Sequence, residues 1–122
     1  MGERDLTLLL QGMAPQLHAE PYGFAVRDGA PPFQPFATVA EAEGLTVVAP
    51  LALLGDHPPW ARISLRVHSD LAAVGLTAAF AQALAAEGIS CNVIAGLHHD
   101  HLFVPWDRRQ AALAALERLA DA

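Results

Sequence analysis

The stretch from Ile63 to Gly96, ISLRVHSDLAAVGLTAAFAQALAAEGISCNVIAG, constrains this chain more than any other. Ile63, Leu65 and Val67 alternate with Arg62, Ser64, Arg66 and His68, the period of a half-buried strand. Ser69 and Asp70 follow, both residues that cap helix N-termini. Leu76 to Glu87 is rich in alanine, with Leu76, Phe80 and Leu84 four apart, which predicts a helix. Gly88 stands where a helix ends on a left-handed residue. A second strand is predicted over Ile89 to Ala95, with Ile89, Cys91, Val93 and Ala95 on one face. Strand, helix, strand in so short a space implies an α+β layer packed on a sheet.

The chain has 122 residues, enough for one domain or two small modules that share a core. Hydrophobic residues make up 53%, so a core can form and global disorder is excluded. The net charge is −6 and the seven basic residues, all arginine, are scattered. A nucleic-acid binder would show a basic stripe, so no nucleic-acid partner is expected. One cysteine rules out an internal disulfide framework and fits a reducing, cytoplasmic setting. MGERD lacks a signal pattern, and the apolar run Leu71 to Ala86 carries Thr, Gln and Gly, so no membrane partner is expected.

In the first half, Asp5 is placed to cap a short helix through Leu6, Leu9, Leu10 and Met13, which Pro15 ends. Gln16 to Ala19 and Tyr22 to Arg27 read as a hairpin around a Glu20-Pro21 turn, with Gly23 a weak point. The segment PPFQP (Pro31 to Pro35) reads as an irregular connector rather than a PxxP ligand. Thr38 to Glu43 reads as one helical turn closed by Gly44. Leu45 to Pro50, LTVVAP, is a strand, β-branched at its centre. The Asp56 to Pro59 loop is the one internal boundary, giving segments 1–59 and 60–122.

In the second half, LHHDHLFVP makes a hairpin whose tip lies near His98 to Asp100, and Pro105 stops its second strand. Asp107 is placed to cap a final helix with a stripe of Ala112, Leu113, Leu116, Leu119 and Ala120. From Trp60 the order is β, α, β, β, α, a βαββαβ unit without its last strand. The first half is the same unit without its first. Two incomplete units suggest exchanged strands, with Leu45–Pro50 either shared or completing its own half.

Gly75-Leu76, then Ala78, Phe80 and Leu84, then Glu87-Gly88-Ile89 resemble the helix entry and exit of the ACT domain. The likeness is closest to the aspartate-kinase ACT modules and to small stand-alone bacterial tandem ACT-like proteins, and EAEGLTVV, VGLTAAFAQALAAEGISCNVIAG and HHDHLFVP resemble the stand-alone proteins in particular. It implies a ferredoxin-like antiparallel sheet with helices on one face, and a non-enzymatic regulatory role. The implied partner is a small molecule, an amino acid above all, bound where two ACT units meet. The implied contacts are Ser69, Asp70, Val74, Gly75, Leu76 and Thr77, with Asn92, Val93 and Ile94 opposite. Asp70 stands five positions before Gly75, and Val74 holds a place that is often proline, so this loop is longer than usual.

The same residues make chemical sense unaided. A glycine at a helix start lets backbone N–H groups approach a carboxylate, and the helix dipole favours the anion. Asp70 could take an α-ammonium group, and Asn92 can donate and accept. Each also has a plain structural reading, as cap, packing glycine or sheet-edge polar residue. The alternative for the whole chain is an interaction module without a ligand.

No cofactor is expected. His99 and His101 would share a strand face, with Asp100 at the tip. A hairpin brings three ligands at most where zinc wants about four. A metal-dependent enzyme built on His98 to His101 is therefore a minor alternative. Cys91 reads as a small core residue with no cation beside it to make it nucleophilic. No GxSxG, P-loop, HExxH or Rossmann fingerprint is present. The helix over Leu76 to Ala86 has only Thr77 and Gln82 as polar side chains, so both its sides should be covered, and a homodimer or higher oligomer is expected.

Overall fold

The computed structural model describes residues 2–122. The chain forms six strands and four α-helices among these residues. It divides into two compact units, one running to His18 and resuming at Ala61, the other spanning Ala19–Trp60. Each is α+β, with strands in antiparallel pairs.

The first unit opens with α1 (Leu6–Gln11), whose N-cap Asp5 accepts from the Leu8 N–H at 3.1 Å as the sequence predicts. It continues in the first residues of β1 (Pro15–Arg27), then β4 (Trp60–Leu65), α3 (Leu76–Ala86), β5 (Asn92–Ala95), β6 (Asp100–Pro105) and α4 (Arg109–Asp121). Its strands lie in the order β1-β4-β6-β5. In a βαββαβ unit the last strand lies beside the first. Here the start of β1 fills that place, beside β4. The exchanged strand is thus β1.

Ile63 and Leu65 from β4, Leu102 and Val104 from β6, and Leu76, Phe80 and Leu84 from α3 are buried together. Leu9 from α1, Met13 from the segment that follows it, and Ala112 and Leu116 from α4 close this core. Each of the larger side chains among them contributes about 1.5–3 kcal/mol by leaving water. α3 ends at Gly88, whose φ of +70° gives the left-handed stop expected of it. The other end differs from expectation. Ser69 and Asp70 do not cap α3; its N-cap is Gly75, at φ +105° and without a side-chain bond. Asp107 does not cap α4 either. Pro105 fixes the backbone before a 3-10 turn, Trp106–Arg108, and α4 continues from it with Arg108 at its N-cap. Arg109 stacks 3.9 Å over the Trp106 ring instead.

The second unit holds the rest of β1, β2 (Ala37–Glu41), β3 (Gly44–Pro50) and α2 (Leu51–Leu54). Two expectations fail here. Glu20-Pro21 is no turn, because β1 runs straight through it. β1 pairs with β3 only from Tyr22, opposite Pro50, to Arg27, opposite Leu45, so no β3 partner needs the N–H that Pro21 lacks. Thr38 to Glu43 is not helical. β2 pairs with β3 from Ala37, opposite Val48, to Glu41, opposite Gly44, across a two-residue turn. Pairing with β3 outweighs the helical preference of Ala and Glu. LTVVAP, lying in β3 between β1 and β2, completes its own unit. Tyr22 meets Phe36 edge-on at 6.1 Å between ring centroids, and Phe24 meets Trp60 likewise at 5.9 Å.

Candidate functional site

After β4 the chain leaves the sheet and is held by the N-terminal segment. The Glu3 N–H donates to the His68 carbonyl at 2.8 Å, and the Asp70 N–H donates to the Glu3 carbonyl at 2.9 Å. Asp70 then folds the loop on itself. Its Oδ1 accepts from the Ala72 N–H at 2.8 Å, its carbonyl accepts from the Ala73 N–H at 2.9 Å, and its Oδ2 faces the Arg4 Nε at 3.3 Å. The Ala72 N–H above all, and then the Arg4 guanidinium, hold the carboxyl below the ordinary carboxylate range.

This loop and the start of α3 enclose a cavity of about 160 Å³. Ser69, Asp70, Gly75, Leu76 and Thr77 line it, five of the positions that the sequence singles out. Val74 does not, being 82% exposed on the outer side of the loop. Asn92, Val93 and Ile94 lie along β5 outside the lining, where Ala95 is the β5 residue that reaches the cavity. At the N-terminus of α3 the first N–H groups point out of the helix, and Gly75 offers no side chain to meet them. That end therefore presents donors and partial positive charge.

The residue that sequence reasoning underrated is Asp100. It lines the same cavity, is buried, and lies with its Oδ2 3.5 Å from the Ser69 hydroxyl, which donates to it. Burial pushes its carboxyl above the ordinary range, while the Ser69 hydroxyl and the charge of His99 pull it back. The signal was strand parity: Asp100 shares a face of β6 with the buried Leu102 and Val104. The cavity thus sets donors at one side and a carboxylate at the other, a pattern that suits a zwitterion.

The remaining candidates separate. His99 is in the turn before β6, with Nδ1 3.3 Å from the Val67 carbonyl oxygen, so it does not share a strand face with His101. His101 turns to the sheet face away from the helices, where its Nδ1 lies 2.8 Å from the Ser64 hydroxyl and 3.3 Å from Arg62 Nη2. His18 Nε2 reaches the same hydroxyl at 2.8 Å. Among the described residues no three His, Cys, Asp or Glu side chains are placed to hold a metal ion together. Cys91 precedes β5 rather than lying in it, and burial pushes its thiol up to about 11.

Two ACT-domain family models match the chain, one over residues 1–53 and one over 57–118. Among solved structures, a Vibrio cholerae protein of unknown function, described as a possible transport protein, is 47% identical. The match covers 94% of this chain and 95% of that one, with a TM-score of 0.82. An Agrobacterium tumefaciens protein is 17% identical over 83% of this chain and 84% of its own, with a TM-score of 0.71. The ligand-free regulatory subunit of aspartate kinase from Thermus thermophilus is 13% identical over 88% of this chain and 97% of its own, with a TM-score of 0.66. At such identities the last two share the fold alone. No curated protein matches the chain.

Proposed function

The chain belongs to the ACT-domain family, and from that premise we propose that it is a non-enzymatic regulatory protein that senses an amino acid. The observation that carries this reading is the cavity between Asp100 and the N-terminus of α3. An amino acid would place its carboxylate against the first N–H groups of α3, beside Gly75, Leu76 and Thr77. Its ammonium group would face Asp100, with Ser69 bridging. Asp70 is already engaged by Arg4 and Ala72, so the task assigned to it from sequence passes to Asp100. A volume of about 160 Å³ suits a small metabolite rather than a larger cofactor.

The proposal includes two ACT-like modules, 1–59 and 60–122, with the start of β1 lent to the second. It also includes a homodimer or higher oligomer in the cytoplasm. Val74 and the β5 residues Asn92, Val93 and Ile94 belong to this part of the reading, because β5 is the last strand of its sheet and a second copy set against it would bring them to the ligand. The outward side of α3, with Ala78, Ala85 and Ala86 exposed, supports a covered face. Among the described residues no helix is long and apolar enough to cross a membrane.

A thermal-shift screen of the full chain against the twenty amino acids tests the reading. A ligand at a hundred times its Kd supplies about 2.7 kcal/mol of stabilisation, a shift of several degrees. No shift with any of them overturns the sensor assignment. A strictly monomeric mass by sedimentation at micromolar concentration overturns the oligomer.

A further inference from the structure

His68, in the segment after β4, and His98, in the turn between β5 and β6, meet on the surface of the first unit. Their ring centroids are 4.9 Å apart at an interplanar angle of 64°, and His98 Nδ1 lies 3.2 Å from His68 Nε2. Both side chains are solvent-exposed, yet both backbones are anchored. Glu3 bonds to the chain on either side of Ser69, holding His68 in place. The Gly96 N–H donates to the His99 carbonyl at 2.9 Å, closing the turn that carries His98. His99 Nδ1, 3.3 Å from the Val67 carbonyl, ties that turn to the residue before His68. Two flexible surface side chains thus stand on positions fixed relative to each other.

The facing nitrogens have the spacing of a chelate. With metal–nitrogen bonds of about 2.0–2.1 Å, two ligands of a tetrahedral zinc stand roughly 3.3 Å apart. We propose that His68 Nε2 and His98 Nδ1 form a bidentate site for a first-row transition-metal dication, of the kind that imidazole nitrogen suits. Without metal, one ring donates its N–H to the lone pair of the other. With metal, both facing nitrogens must present lone pairs, so the shared proton moves to the other nitrogen of its own ring.

The surroundings fit such an ion. The pair borders a cavity of about 370 Å³ that Gly2, Asp70, Leu71 and Leu97 also line, leaving room for water in the remaining coordination positions. Asp70 brings a carboxylate to the same cavity, partly neutralised by Arg4. His99 stands with its centroid 6.2 Å from that of His68 and 6.3 Å from that of His98. Its Nδ1 can meet the Val67 carbonyl only as an N–H donor, which leaves the lone pair on Nε2. That tautomer is the one a ligating histidine needs, though His99 stands outside the pair. Asp70 and Leu71 border both this cavity and the one at Asp100, but His68 and His98 line only this one, and the metal site does not rest on the amino-acid reading.

The test titrates the full chain, stripped of metal by a chelator, with Zn²⁺ alone in competition with a chromogenic zinc chelator. The expected result is one Zn²⁺ per chain, weakened about tenfold or more in His68→Gln and again in His98→Gln. His57→Gln, in the other unit, should bind as the original does. Nitrogen-15 spectra of the imidazoles give the second readout. Zinc should move the resonances of His68 Nε2 and His98 Nδ1 before those of His101. No uptake, uptake that survives both substitutions, or first shifts at His101 would each overturn the proposal.

Discussion

Ser64 Oγ lies 2.8 Å from His101 Nδ1, and the direction of that bond is fixed by a third residue. Arg62 Nη2 approaches the same nitrogen at 3.3 Å, and a guanidinium can only donate. His101 Nδ1 must therefore carry its lone pair, and the Ser64 hydroxyl donates to it. The hydroxyl oxygen is then an acceptor for His18 Nε2 at 2.8 Å. The chain of bonds runs from His18 through Ser64 to His101, and it requires a neutral His101.

Acid should dissolve this arrangement. Burial above all, then the nearby charges of Arg62, His18 and His99, lowers His101 from 6.5 to about 4. The unfolded chain takes up a proton near pH 6.5 while the folded one refuses it until about pH 4. Stability from this group is therefore complete above pH 6.5 and lost as the pH falls towards 4. At 1.36 kcal/mol per unit the loss reaches up to about 3 kcal/mol, less what solvent screens. Urea melts at pH 7 and pH 4.5 measure it. His101→Gln should flatten the difference, and an equal slope in both proteins would refute the assignment.

Cys91 should be a slow thiol. Raised by burial from 9.0 to about 11, it carries roughly a hundredth of the usual thiolate at pH 8. An aromatic disulfide reagent should label the folded chain about a hundredfold more slowly than free thiol, with full speed restored in denaturant. A rapid burst on the folded chain would contradict the burial.

The sequence was most readable where local chemistry and tertiary pairing agree. Asp5 caps α1, Gly88 ends α3, and the turn after Ala95 joins β5 to β6, each for a reason carried by the residues themselves. β2 was hidden because its two-residue turn, Ala42-Glu43, lacks the Asn-Gly or Asp-Gly signal of a hairpin. β1 was hidden because Pro21 looks like a break unless the extent of β3 is known. The loop half of the candidate site, Ser69 and Gly75 to Thr77, follows from the resemblance and from Gly75. Its other wall depends on which face of β6 Asp100 takes, and reading Asp100 as a turn tip concealed that.

Gly23 tests the packing of the second unit. A Cβ there would sit 2.9 Å from Leu51 Cδ1 and 3.1 Å from Leu54 Cδ1, so α2 rests directly on β1 at this point. Gly23→Ala should cost about 1 kcal/mol, since both obstacles are side-chain ends that can shift. Gly29, with nothing within 4 Å of an added Cβ, is the control, and Gly29→Ala should change stability by under about 0.5 kcal/mol. Equal effects on urea midpoints would mean that α2 does not sit on Gly23.

Asp100→Asn distinguishes a binding role from a structural one better than a substitution of Gly75, which the backbone needs at φ +105° whatever the cavity holds. Because burial raises the Asp100 carboxyl, its ionised form is disfavoured in the folded chain relative to the unfolded one. The sign follows: near neutral pH the charge lowers stability, and replacing it with an amide of the same shape should leave the melting temperature unchanged or higher. The amide can still accept from the Ser69 hydroxyl, so the cavity wall stays in place. What it cannot do is neutralise an ammonium group. Any amino acid that stabilises the original chain should lose that effect in Asp100→Asn, while the unliganded protein melts no lower. A lower melting temperature with the ligand shift intact would make Asp100 a structural residue and return the ammonium to Asp70.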